Sequence, residues 1–309
     1  MKALAEGASI GILADEAPEQ TRVARFAARN KSVLIGSAVL AIIVLIGVLA
    51  PFLGTIDPAQ INPAARNRTP GSETTFRNAD GTQSPRTHWM GTDSLGRDVY
   101  SRVLYGARVS LIVGVSVALM SAAAGLFIGL LTGYLRWLDG VVMRVMDGLM
   151  SIPAILLAIA LMSLSSAGLR TVIIAIVIPA VPGVVRLVRS VVLSIREEPY
   201  VEAAIALGVP TRTILRRHVL PNALAPLIVQ ATFVCASAIL VEATLSFLGI
   251  GVQEPLPTWG GMIRDGLVSL RTEPYLALSA SAALGVTIVG FNLLGDGLRD
   301  ILDPRVRDR

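Results

Sequence analysis

The sequence predicts an all-α integral membrane protein with six transmembrane helices. Hydrophobic residues make up 53% of the 309-residue chain and charged residues only 16%, where a soluble domain carries about 25% charged. Mean hydropathy is +0.66. Six apolar stretches reach or approach the roughly 20 residues with which a helix crosses about 30 Å of hydrocarbon.

The first stretch, residues 33–53, is uncharged. Residues 1–32 read as a cytoplasmic leader, polar enough over its first part to stay disordered. With Asp15, Glu16 and Glu19 ahead of a long apolar run and no small-residue cleavage site after it, this is a retained anchor and not a cleaved signal. Residues 54–109 form the first outer loop. Its part 57–85 is rich in Pro, Asn, Thr, Ser and Gly and reads as irregular surface. From Gly96 the pattern turns helical, with Val99, Val103 and Leu104 on one face and Arg97, Asp98 and Arg102 on others. Two readings fit equally: an amphipathic helix lying on the membrane surface, or an extension of the second crossing.

The remaining crossings fall within a five-helix core, residues 110–296. Residues 110–135 and 148–169 are uncharged. Residues 171–193 pass through Pro179 and Pro182, and Arg186 and Arg189 mark that helix's inner end. Residues 219–248 contain Glu242, and residues 275–295 are uncharged. Residues 297–309 form a tail. Trp137 and Trp259 suit interfacial belts. Most of the 27 Lys and Arg fall on the side of the leader, so both termini are placed in the cytoplasm.

Composition also excludes chemistries. The only lysines are Lys2 and Lys31, neither after a glycine, so the chain has no G-x-x-x-x-G-K-[ST] phosphate loop. Any ATP hydrolysis that drives it belongs to another subunit. The single cysteine, Cys235, cannot form an intrachain disulfide or a thiolate cluster. His88 and His218 lie far apart in sequence, and no paired-carboxylate, Ser-His-Asp or metal-ligand constellation appears. The chain is expected to be no enzyme, with no catalytic, cofactor-binding or metal residues of its own.

The longest inner loop, residues 194–222, carries the mechanism. Pro199 suits the first turn of a helix, with Glu197 and Glu198 favourable at its positive end. Gly208 is the stop residue, able to adopt a left-handed conformation. A second short helix starts at Pro210 and Thr211 and runs to about Val219, and Pro221 separates it from the fifth crossing.

Here the chain resembles a known family. Glu202-Ala203-Ala204, then Gly208, then His218-Val219-Leu220-Pro221 match the EAA loop of ATP-binding-cassette (ABC) importer permeases, with His218 where Ile is frequent. The run from Gly91 to Asp98, the run from Leu245 to Gln253, and the run from Asn292 to Asp300 ending at Asp303-Pro304-Arg305 narrow the resemblance to C-type subunits of the dipeptide, oligopeptide and nickel permease family.

The resemblance implies the type I importer fold and a coupling helix docked on an ATPase subunit through Glu202, Ala203, Ala204, Gly208, Leu220 and Pro221. It implies inward transport of di- or oligopeptides across the bacterial inner membrane. It further implies a B-type permease subunit, two ATPase subunits that hold ATP and Mg, a periplasmic substrate-binding protein, and surrounding membrane lipid. Glu242, Pro179 and Pro182 are candidates for the translocation path or an outer gate. For Glu242 the sequence favours the structural alternative, a hydrogen-bonding contact to a neighbouring helix or to the partner permease. Pro179 and Pro182 read as a static bend or as a bend used in alternating access.

Nickel or another small solute within the same family is the alternative substrate, and a stand-alone secondary transporter a more distant one. The loop also resembles a helix-turn-helix. It hangs between two crossings with no supporting third helix, so no nucleic-acid partner is expected.

Overall fold

The computed structural model describes residues 30–77, 83–164 and 168–302. The leader through residue 29 and the tail from residue 303 lie outside the described residues, and so do residues 165–167 within the expected third crossing.

Helix α1 spans Lys31–Leu49 and continues as a 3₁₀ turn, Ala50–Phe52. A second 3₁₀ turn, Pro63–Ala65, precedes strands β1 (Ser72–Arg77) and β2 (Gln83–His88). Then come α2 (Val99–Tyr134), α3 (Arg136–Met150), α4 (Ala154–Ser163) and α5 (Leu169–Arg196). Helices α6 (Pro199–Ala206) and α7 (Thr211–Ile214) form the long loop. A π-helical turn, Leu215–Val219, leads from it into α8 (Leu220–Phe247). Helices α9 (Trp259–Val268) and α10 (Pro274–Leu302) close the described chain.

Among the described residues, five helices are long and apolar enough to cross a membrane, and the bent pair α3–α4 makes a sixth span if counted as one. At most 44% of the most apolar window of any of the five is buried. Leu34, Ile42, Leu45, Leu119 and Phe127 point outward and are more than half exposed. An outer face this apolar suits lipid or a neighbouring membrane chain and not water.

Close backbone approach holds the helices together, as it must where lipid removes the hydrophobic drive between them. Gly125, Gly129 and Gly133 line one face of α2 at a spacing of four. A Cβ added at each would come within 2.5 Å of Val184, 2.7 Å of Val188 and 2.6 Å of Val192 on α5. A β-branched row thus fits into a glycine groove. On another side of α2, Gly114 receives Ile239 and Cys235 from α8. Gly36 of α1 sits on the backbone of α10 at Gly290 and Leu294. Cys235 is a buried free thiol in this core.

Three features differ from the sequence expectations, and a fourth decides between two readings that the sequence left open. The third crossing is no straight helix: α3 and α4 meet at 87° across residues 151–153. Pro153 lacks an N–H and forces Ile152 out of the helical region, so the helix ends there. The loop part 57–85, expected to be irregular, contains the β1–β2 hairpin, with Ser72 opposite His88 and Thr74 opposite Arg86. Residues from Val99 onward are continuous with the second crossing in one 36-residue helix. At about 54 Å it exceeds the hydrocarbon thickness, so one end projects beyond it. Finally, Pro221 does not separate the loop from the fifth crossing. The π turn Leu215–Val219 carries the chain helically into α8, with Leu220 N–H donating to the Leu215 carbonyl, and Pro221 falls in the first turn of α8.

Candidate functional site

The loop at one end of the bundle is built from local backbone rules. Pro199 occupies the first turn of α6, where a missing N–H costs nothing. At the other end of α6, Val209 N–H donates to the Ala204 carbonyl at 3.0 Å and Gly208 N–H to the Ile205 carbonyl at 2.9 Å. Gly208 has φ +75°. This is a Schellman closure, in which the reversed turn satisfies the last helical carbonyls. Leu207 N–H donates to the Ala203 carbonyl at 3.0 Å, so both alanines of the motif supply carbonyls to the turn.

Buried side chains tie this unit to the bundle. Val201, Ile214 and Val219 are at most 1% exposed. Tyr134 Oη donates to Thr211 Oγ1 at 3.0 Å. Arg196 Nη1 donates to the Gly133 and Tyr134 carbonyls at 3.3 Å and lies over the Tyr134 ring, so a cation caps the negative end of α2. Asn222 Nδ2 donates to the His218 carbonyl, and the His218 ring leans on Tyr200 at 5.7 Å between centroids.

Outward, the loop presents Tyr200, Glu202, Ile205 and Leu207, the last 84% exposed. Glu197, Glu198, Arg212, Arg216 and Arg217 are exposed as well, and a stiff, doubly anchored element with apolar and charged groups facing out is suited to docking on another protein. Leu220 is half-buried and Pro221 exposed, both at the head of α8 beyond the Glu202–Gly208 turn.

Arg186 and Arg189 do more than reach toward water. Arg186 Nη2 donates to Asp147 Oδ1 at 2.6 Å. Arg189 grips Asp139 through Nε and Nη2 at 2.5 and 2.7 Å. Both pairs join α5 to α3.

The candidates for a translocation path do not converge. Pro179 lines a cavity of about 240 Å³ with Val117, Gln230, Ser237 and Val241. Pro182 is buried, and α5 runs unbroken through both prolines. Glu242 is fully buried: Ser246 Oγ donates to its Oε1 at 2.7 Å, and its Oε2 has no partner among the described residues. A second cleft, of about 390 Å³, lies between α5, α8 and α10, with Gln230 and Phe233 common to both cavities.

The opposite end of the bundle holds a polar core that sequence reasoning missed. Asp98 caps α2, its Oδ2 accepting from Ser101 N–H at 2.8 Å and Ser101 Oγ at 2.6 Å. Its Oδ1 contacts His88 Nδ1 at 2.8 Å, and His88 Nε2 contacts Thr74 Oγ1 at 2.7 Å. That chain of contacts fastens the hairpin to the start of α2.

Beside it, Asp93 Oδ1 accepts from the Leu95 and Arg97 N–H groups, and its Oδ2 from Arg97 Nε at 2.6 Å. Arg97 Nη1 reaches Glu254 at 2.6 Å. Burial works against the Arg97 charge, but Glu254 and Asp93 outweigh it and hold its pKa above the ordinary value. Partial burial likewise opposes the Glu254 charge, and Arg97 overcomes it, so Glu254 titrates below the usual range.

Trp259 is not an interfacial anchor. It is 1% exposed, lies against Gly106, and donates from Nε1 to the Val103 carbonyl at 3.0 Å. Trp137, by contrast, is 74% exposed.

Comparison with known proteins bears on this architecture. The family model described as binding-protein-dependent transport system inner membrane component matches residues 124–308. A second, described as the N-terminal TM domain of oligopeptide transport permease C, matches residues 22–70. A protein of Sinorhizobium fredii named a probable peptide ABC transporter permease is 47% identical over 93% of this chain and 94% of its own length. The dipeptide transport system permease of Alkalihalophilus pseudofirmus is 40% identical over 90% of this chain and 88% of its own length. A glutathione transport system permease of Pectobacterium atrosepticum is 41% identical over 71% of this chain and 73% of its own length. Among solved structures, the MetNI methionine ABC transporter in an inward-facing conformation superimposes with a TM-score of 0.55 at 19% identity. That match covers 65% of this chain and 96% of the other, and it supports the fold.

Proposed function

For a chain that belongs to the family of binding-protein-dependent transport system inner membrane components, we propose the role of C-type permease subunit in a bacterial importer of di- or oligopeptides. Permease subunits of ABC importers act with ATPase and substrate-binding partners. The particular set proposed here is a B-type permease subunit, two ATPase subunits and a periplasmic binding protein. ATP and Mg belong to the ATPase subunits, and this chain carries no catalysis of its own. The substrate class rests on the peptide, dipeptide and glutathione permeases to which the chain is similar.

The observation that carries the reading is the loop around Gly208. It exposes Tyr200, Glu202, Ile205 and Leu207 while anchoring Val201, Ile214 and Val219. Glu202, Ala203, Ala204, Gly208, Leu220 and Pro221 form the ATPase-coupling set, the alanines and Gly208 through the turn itself. Moving an alternating-access equilibrium from 1:99 to 99:1 takes about 5.5 kcal/mol of differential binding. One exposed ion pair supplies about 0–1 kcal/mol, so Glu202 alone cannot drive the change and the whole docked surface must.

In this reading the loop and both termini face the cytoplasm, and the hairpin faces the periplasm of a bacterial inner membrane. Glu242, Pro179 and Pro182 stand as path or gate candidates, with Pro179 beside open volume.

The test is Gly208→Val in the reconstituted importer. A Cβ there meets nothing within 4 Å, so the strain comes from the φ of +75°. A left-handed conformation costs a β-branched residue at least about 1–2 kcal/mol. Uptake and substrate-stimulated ATP hydrolysis should both fall while membrane insertion persists. Unchanged uptake removes Gly208 from the coupling, and labelling of the loop from the periplasmic side removes the reading as a whole.

A further inference from the structure

The geometry points to a carboxylate-binding subsite at the hairpin end of the bundle, built around Arg102. This deepens the peptide reading above and rests on it. A cavity of about 310 Å³ opens there, lined by Arg102 from the start of α2, by Ser246 at the end of α8, and by Gln253, Glu254 and Thr258 from the segment that follows. The Arg102 side chain is only 4% exposed. Its Nη1 is buried and has no hydrogen-bond partner among the described residues.

Two carboxylates pair with Arg102 only at long range, too far for a hydrogen bond. Asp93 Oδ2 is 3.9 Å from Arg102 Nε, and Glu254 Oε1 is 3.9 Å from Nη2. Both are already committed to Arg97, each at 2.6 Å. A third, Asp265, is taken by Arg264 at 3.0 Å. The acids around the cavity therefore make their short contacts with other arginines, and Arg102 keeps two long ion pairs and an Nη1 without a hydrogen bond.

An enclosed guanidinium with unpaired donors is costly unless an anion completes it. Its planar fork matches a carboxylate, which can take two parallel N–H bonds. Thr258 and Gln253 add neutral donors. Thr258 Oγ1 accepts from Gly261 N–H, which leaves its own proton to donate. The volume exceeds one carboxylate and has room for a terminal residue of a short peptide. The ligand assigned is the free C-terminal carboxylate of a transported peptide.

The experiment uses the assembled importer in proteoliposomes. Its binding protein is saturated first with alanylalanine and then with the C-terminal amide of the same dipeptide, saturation being confirmed by fluorescence of that protein. The readout is the ratio of initial uptake rates, acid over amide. Amidation removes the negative charge that the guanidinium would pair with, so the wild-type ratio should be about tenfold or more. Arg102→Gln should bring the ratio close to one, and Arg102→Lys, which keeps the cation and reports on assembly, should give an intermediate ratio.

An unchanged ratio in Arg102→Gln, or a wild type indifferent to amidation, overturns the assignment. Equal loss of both solutes in both variants also overturns it, because Arg102 would then serve the fold or an acidic side chain of the binding protein. A wild type that takes up neither peptide removes the peptide reading itself, which separates that failure from failure of the subsite.

Discussion

The glycine groove of α2 makes a quantitative demand on Gly129. A Cβ at this position lies 2.7 Å from Val188 Cβ, 2.9 Å from Val188 Cγ1 and 3.0 Å from the Val185 carbonyl oxygen. Ordinary contact between such atoms is about 3.5–4.0 Å, so Gly129→Ala has to open the α2–α5 seam by close to 1 Å. Opening it also loosens the neighbouring contacts of Val184 on Gly125 and Val192 on Gly133. Overpacking of this kind costs about 1–3 kcal/mol. Gly148 of α3 provides the contrast, since a Cβ there meets nothing within 4 Å. Gly148→Ala should stabilise by roughly 0.5–1 kcal/mol through helix propensity alone. The assay is thermal unfolding of the detergent-solubilised protein, with both variants beside wild type. Val188→Gly in the Gly129→Ala background should recover part of the loss, because it removes two of the three close atoms and leaves the carbonyl. Val188→Ala should recover less, because the Cβ remains. If Gly129→Ala melts with or above Gly148→Ala, close packing at the seam is not what holds α2 to α5.

Two further outcomes test the other end of the bundle. Trp259→Phe removes both the Nε1 donor to the Val103 carbonyl and the five-membered ring that lies against Gly106; losing the hydrogen bond and leaving a cavity in a buried site should together cost more than about 1 kcal/mol, read as a lower midpoint in the same unfolding assay. Glu254 has a folded-state pKa below its ordinary value of 4.5. Its contribution to stability is therefore present above that value and lost as pH falls through the lowered one. Glu254 is half exposed, so the contribution is below about 1 kcal/mol. Glu254→Gln should melt lower near neutral pH and converge on wild type once pH has fallen through the lowered pKa; a gap that stays constant as the protein is acidified would show that the Arg97 contact works through shape and not charge.

What was legible in the sequence followed from rules that act over a few residues. Pro199 and Gly208 bounded α6 because a missing N–H and a left-handed φ are properties of single residues. The long apolar runs located the membrane helices because lipid acts on every residue alike. The break at 151–153 had its signal in Pro153, but the uncharged run around it outweighed that signal. The hairpin was missed because β1 and β2 lack an apolar alternation. Their register is fixed instead by His88, buried between Thr74 and Asp98. Contacts between distant positions were beyond local rules altogether. Arg97 meets Glu254 across 157 positions and Trp259 meets Val103 across 156, so Trp259 read as a surface anchor and Glu254 did not stand out.

The two ends of the molecule are not mechanically independent. Helix α2 starts under Asp98 in the polar core and ends at Tyr134, where Arg196 and Thr211 hold it to the loop. Along its second half it is keyed to α5 by three glycine–valine contacts, and in its first half to α8 through Gly114. The loop is covalently continuous with both of those helices, with α5 on one side and, through the π turn, with α8 on the other. A push on the loop therefore arrives at α5 and α8 together, and both transfer it to a single strut of about 54 Å. Close-packed contacts of this kind move as a unit or jump between arrangements, and they do not deform gradually. Loosening the seam at Gly129 should for that reason reduce coupling of ATP hydrolysis to uptake by more than its effect on stability alone would explain. The comparison to make is the uptake-to-hydrolysis ratio of Gly129→Ala against that of Gly36→Ala, which crowds the α1–α10 contact and leaves the glycine contacts of α2 intact.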